Sequence, residues 1–157
     1  VEGRLFRLPR ILFEEQSTMF KNEFLLPSPP TNESDEAGGR VSISIRLDGV
    51  NRTEFESFLW VLLPLPHLDM TKQDWLDALQ LATMWEFGSV RQVAIDSLDQ
   101  LPFTEVERVL ILNEFDINKW RPTAYTRLVL REEPLSAADV GALGAQLAAK
   151  FSAAREQ

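Results

Sequence analysis

The sequence predicts an α+β domain, in which a small sheet is flanked by a cluster of short helices and followed by a C-terminal helical extension. Three observations predict it. Residues 41–47, VSISIRL, place Val41, Ile43, Ile45 and Leu47 on alternate positions, the period of a half-buried strand. Five helix-start signals follow, each a side-chain acceptor with a polar partner three residues on: Asn51 with Glu54, Thr71 with Asp74, Ser89 with Gln92, Thr104 with Glu107 and Ser136 with Asp139. At 157 residues and 45% hydrophobic, the chain can bury a core of ordinary size.

The elements are expected in this order. Residues 1–8, VEGRLFRL, read as the end of a strand, a turn at Glu2-Gly3 and a short second strand holding Leu5 and Phe6. The chain opens on Val1 directly in this pattern, which predicts a first strand cut short and a longer parent chain. Pro9 suits the first turn of a helix, where its missing N–H has no partner to lose. From Ile11 to Phe24, the spacing of Phe13, Ser17, Phe20 and Phe24 predicts one helix with an aromatic stripe. Residues 27–40, rich in Pro, Gly and carboxylates without apolar periodicity, read as a solvated loop before the 41–47 strand.

Everything after Gly49 reads as helical, with breaks at Pro64 and Pro66, Gly88, Pro102, near Asp116 to Pro122, and at Pro134. In LQLATMWEFGSVRQVAIDSL, residues 79–98, Leu79, Ala82 and Trp85 recur at helical spacing. Gly88 is the expected left-handed stop there, and Ser89 the cap of the next helix. That predicts a tight helical corner wedged by Trp85 and Phe87. In the tail, Val140, Leu143, Leu147 and Phe151 share one face, and docking on its own domain is the first expectation because a lone helix of this length is marginal in water.

The formal net charge of −8 repels phosphate, which disfavours nucleic acid and anionic membranes as direct partners. The absence of cysteine removes thiolate catalysis, disulfides and thiolate-held metals. The longest apolar run, 59–63, is too short to span a bilayer. An intracellular location, cytoplasmic or nuclear, is the expectation.

The residue types that carry chemistry are thinly supplied. His67 is the single histidine, with no second His or Cys to complete a metal site, so it reads as a loop residue. Acidic pairs such as Glu14-Glu15, Asp35-Glu36 and Glu132-Glu133 read as solvated faces, because adjacent acids on a helix diverge by about 100°. A carboxylate-dependent enzyme needs two such acids in a concave pocket, and is the least favoured reading. Asn32 and Asn51 head glycosylation triplets, but Asn51 is better used as a helix cap. No catalytic, cofactor-binding or metal-binding residue is assigned. Among the tryptophans, Trp60 and Trp75 are the expected surface anchors, Trp60 because it lies off the Phe55, Phe58/Leu59, Leu62 stripe.

Three blocks of the sequence carry a resemblance to a known family. LFRLPRILFEEQSTMFKNEF resembles a strand followed by a helix of the form L-x-x-x-S-x-x-F. IRLDGVNRTEFESFLWVLLPL resembles a strand, a polar step and the helix F-x-x-F/L-L-x-x-L/I-Y. ATMWEFGSVRQVAIDSL resembles the signature A-x-x-Y-x-[IV]-x-x-L-[RK]-x-x-[AC]-x-x-x-L. Together they resemble the BTB/POZ domain, and the TMWEF helix is similar to the BTB proteins expanded in mushroom-forming fungi. Two positions depart from the family: Pro9 and Gln16 stand where a charged interface pocket has other polar residues.

The resemblance implies a BTB/POZ-like core over residues 1–101 and a helical extension over 102–157. It implies a non-catalytic protein–protein interaction module that forms homo- or hetero-oligomers, without cofactor. The alternative it implies is a substrate adaptor for a cullin-based ubiquitin ligase, so a second copy and a cullin scaffold are the implied partners. Phe13, Met19 and Phe20 are the candidate self-association surface. Leu65, His67, Leu68 and Met70, in a loop that lacks the hydrophobic-x-Glu motif of many such adaptors, and Gly88 at the helix corner are the candidate partner surface.

Overall fold

The structure, a computed structural model, describes residues 1–25, 45–63 and 69–155. The 27–40 loop with Asn32, residues 41–44 of the expected strand, and Leu65, His67 and Leu68 lie outside the described residues. The described residues form helices: α1 (Arg10–Gln16), α2 (Thr18–Glu23), α3 (Arg52–Leu62), α4 (Lys72–Met84), α5 (Gly88–Asp99), α6 (Glu105–Glu114), a 3-10 turn (Asn118–Trp120), α7 (Arg121–Leu130), α8 (Ala137–Leu143) and α9 (Ala145–Arg155).

No strand occurs among the described residues, which overturns the expected α+β class with its small sheet. The local signals were partly right and the pairing was not. The expected turn is present: Glu2 (φ 43) and Gly3 (φ 75) take the two left-handed positions of a tight turn, closed by Arg4 N–H donating to the Val1 carbonyl at 2.8 Å. Yet Leu5–Leu8 meets no second strand among the described residues. Phe6 instead sets its ring edge-on against Phe55, 4.9 Å away, so the segment is held by side-chain packing on α3. Residues 45–47 likewise form no ladder with any described residue, and alternation alone does not make one.

The chain divides into two compact units, Val1–Asp99 and Gln100–Gln157. The first is built around α3, α4 and α5. α3 starts with a capping box between Asn51 and Glu54, and Arg52 N–H also donates to the Glu2 carboxylate at 2.9 Å. Its buried face carries Phe55, Phe58, Leu59 and Leu62, and α4 buries Leu79, Leu81 and Ala82. Phe13, Phe20, Phe58, Trp85 and Phe87 meet there in an aromatic cluster with mostly edge-to-face geometry, as between Phe58 and Phe87 at 5.0 Å and between Phe58 and Trp85 at 5.2 Å.

Two sequence expectations shift at the α4–α5 corner. The left-handed residue is Glu86 (φ 58), not Gly88, and Phe87 N–H reaches back to the Ala82 carbonyl at 2.8 Å. This is a Schellman ending with an acidic residue where glycine is usual. Its apolar closing residue, Phe87, is wholly buried. α5 therefore begins at Gly88, and Ser89 stands inside the helix with its hydroxyl donating to Gln16 Oε1 at 2.5 Å. α6 ends the same way: Asp116 is left-handed (φ 48) and Ile117 N–H donates to the Leu112 carbonyl at 2.9 Å.

The expected single helix over 11–24 is broken at Ser17, whose backbone is extended (φ −136, ψ 121). The Ser17 hydroxyl accepts from Phe20 N–H at 3.1 Å, capping α2, and donates to the Trp85 carbonyl at 2.6 Å. Thr18 donates to the Glu86 carboxylate on one side of it, and Gln16 receives Ser89 on the other. Three consecutive residues thus clasp the α4–α5 corner.

In the second unit, the expected tail helix is divided at Gly144 (φ 80) into α8 and α9. Phe151 packs edge-on against Tyr125 of α7 at 5.2 Å, so α9 docks within its own unit. Trp120 is buried, with the Arg108 guanidinium 4.6 Å from its ring centre.

Candidate functional site

Four residues of α3, Thr53, Glu56, Ser57 and Trp60, are spaced i, i+3, i+4 and i+7, which sets them on one helix face away from the Phe55/Phe58 core face. With Asp69, Met70 and Asp74 from the approach to α4 and its first turn, they line a groove of about 210 Å³. Trp60 is 37% exposed there, while Trp85 and Trp120 are buried.

Each carboxylate of the groove has a different commitment. Asp74 closes the α4 capping box: its Oδ2 accepts from Thr71 N–H and from the Thr71 hydroxyl, both at 2.7 Å, and its Oδ1 accepts from Ser57 at 3.4 Å. Those donors, the Thr71 hydroxyl foremost, hold the Asp74 carboxyl below its usual range against a smaller opposing effect of burial. Glu56 takes Arg52 at 2.7 Å and Arg4 at 3.6 Å, both through Oε1. Asp69 has no hydrogen-bond or ion-pair partner among the described residues.

A pH dependence follows from Asp74. Its pKa is lower folded than unfolded, so its contribution to stability is present above the unfolded value and is lost as pH falls through the folded one. Unfolding midpoints measured from pH 6 downward are expected to decline below about pH 4. Asp74→Asn is expected to lower the midpoint at pH 6 and to flatten that decline; equal slopes for both proteins would contradict the assignment.

A larger cavity of about 360 Å³ lies in the second unit, lined by Leu128, Pro134, Leu135, Phe151, Ser152 and Arg155. Its one cation is already committed, since Arg155 donates to the carbonyls of Glu132 and, at 2.8 Å, Glu133. The smaller groove, with a partly exposed indole and a carboxylate that has no partner among the described residues, is the better candidate site.

The residues singled out from sequence are scattered. Phe13 and Phe20 are buried in the aromatic cluster and present no free surface, whereas Met19 is exposed. Met70 lines the groove, and Gly88 is exposed at the start of α5. Sequence alone does not bring Thr53, Glu56, Ser57 and Asp74 together at one groove. The signal was the i, i+3, i+4, i+7 row on α3 opposite its aromatic stripe.

No group of three or more metal-ligating side chains occurs among the described residues, and none of the described helices is long and apolar enough to cross a membrane. In comparison with known proteins, no family model, no curated protein and no solved structure matches the chain.

Proposed function

We propose that the chain is a non-catalytic protein-interaction module, as its resemblance to BTB/POZ domains implies, and that it self-associates through the α1–α2 segment. The observation that carries this reading is the set of large apolar side chains that the first 25 residues leave in solvent: Leu5, Ile11, Met19 and Leu25. Exposed apolar groups are ordinary when scattered, but Ile11 and Met19 sit on short helices, with Leu5 before and Leu25 after them, whose other side is fixed by Phe13, Phe20 and the Ser17 clasp. A rigid apolar surface loses little entropy on docking.

Two carboxylates of the described residues, Asp74 and Asp139, are held low by their capping hydrogen bonds, the opposite direction to a general acid.

Light scattering at micromolar concentration is expected to give the mass of a dimer, twice 17.9 kDa. Because each copy carries a net charge of −8, association is expected to strengthen with added salt as the repulsion is screened. The pair Ile11→Glu and Met19→Glu is expected to return a monomer with unchanged helical circular dichroism. A wild-type monomer at all accessible concentrations and salts would overturn self-association.

A further inference from the structure

We propose that the α3–α4 groove is a docking site for an arginine-bearing segment of a partner protein, with the guanidinium lying against Trp60 and facing Asp69. The inference rests on the interaction-module reading but uses a different surface from self-association. The groove's volume, about 210 Å³, suits one long side chain better than a drug-sized ligand. Its lining contains three carboxylates, Glu56, Asp69 and Asp74, and neither Lys nor Arg. The surrounding chain is acidic as well, at −8, so the field draws a cation toward it.

Two observations beyond charge select the occupant. Trp60 stands 37% exposed at the groove and is not part of the buried aromatic cluster, and an indole ring is the strongest side-chain partner for a cation. Asp69 is unpartnered among the described residues, whereas Asp74 is spent on its cap and Glu56 on Arg52 and Arg4. An indole and a carboxylate without a partner among the described residues, lining one groove, match arginine, whose planar fork stacks and bonds a carboxylate in two parallel hydrogen bonds. Lysine, a hydrated point charge, does only part of this.

The test titrates the full chain with a fluorescein-labelled peptide of arginines spaced by glycine and serine, against the same peptide with citrulline for arginine, and reads anisotropy. Binding of the arginine peptide alone is expected, with Trp60→Ala and Asp69→Asn each weakening it about fivefold or more. Glu114→Gln, an exposed acid of the second unit that does not line the groove, makes the same change of charge and is expected to leave the affinity unchanged. Equal loss in all three variants, no loss in any, or no binding by the wild type would overturn the proposal. Light scattering on the same samples separates the two claims: a dimer that ignores the peptide sinks only this inference, and a monomer that binds it sinks only self-association.

Discussion

Phe87→Ala is expected to destabilise the first unit by about 3–5 kcal/mol, the cost of deleting a fully buried aromatic ring from a packed core. Phe87 has no solvent exposure and sits edge-to-face with Phe13 at 5.6 Å and Phe58 at 5.0 Å, and 5.9 Å from Phe20. Its ring therefore joins α1 and α2 to α3. Its backbone does a second job, because its N–H closes the helix ending on Ala82. Truncation leaves that hydrogen bond in place and removes the ring alone, so the measured loss reports packing. For a unit of this size the transition is expected to fall by more than about 10 °C. Met84→Ala, at a position 51% exposed on the same helix end, is the control and is expected to stay within about 0.5 kcal/mol. A Phe87 variant no worse than that control would mean that the aromatic cluster is not what holds the corner.

The same cluster explains how far the sequence could be read. Capping boxes depend on four adjacent residues, and those expected at Asn51, Thr71, Thr104 and Ser136 all form. Ser89 with Gln92 matches the same pattern and would start α5 at Val90, yet α5 starts two residues earlier, at Gly88, because Glu86 adopts the left-handed turn. The choice between Glu86 and Gly88 is made by burial: a turn at Glu86 carries Phe87 into the core. Strand signals failed for a related reason. LFRL has the composition of a strand, but a strand exists only with a partner, and Phe6 found an aromatic ring on α3 instead. The groove was half legible, since Trp60 and Met70 stood out singly. Their meeting requires the approach to α4 to run beside the outer face of α3, which no local pattern states.

Ser17→Ala is expected to cost about 2–3 kcal/mol, far more than its loss of one oxygen suggests. A stripe of Phe13, Ser17, Phe20 and Phe24 is equally consistent with one continuous helix, so the break between α1 and α2 is decided by a contact 68 residues distant. At that break one hydroxyl serves two backbone groups. It caps Phe20 N–H at 3.1 Å and satisfies the Trp85 carbonyl at 2.6 Å, and at 2% exposure water cannot replace it. Loss of the cap costs about 1 kcal/mol, and a buried carbonyl left without its donor costs at least a similar amount. Its neighbours provide the comparison. Thr18 and Gln16 bond the same corner, to Glu86 and Ser89, but at exposed sites where water substitutes, so Thr18→Ala and Gln16→Ala are each expected to cost under about 1 kcal/mol. Urea unfolding at constant m measures all three. If Ser17→Ala proves no more costly than Thr18→Ala, the clasp is a set of equivalent surface bonds. If the expected order holds, the rigidity of the α1–α2 face, and with it the surface offered by Ile11 and Met19, depends on one buried hydroxyl.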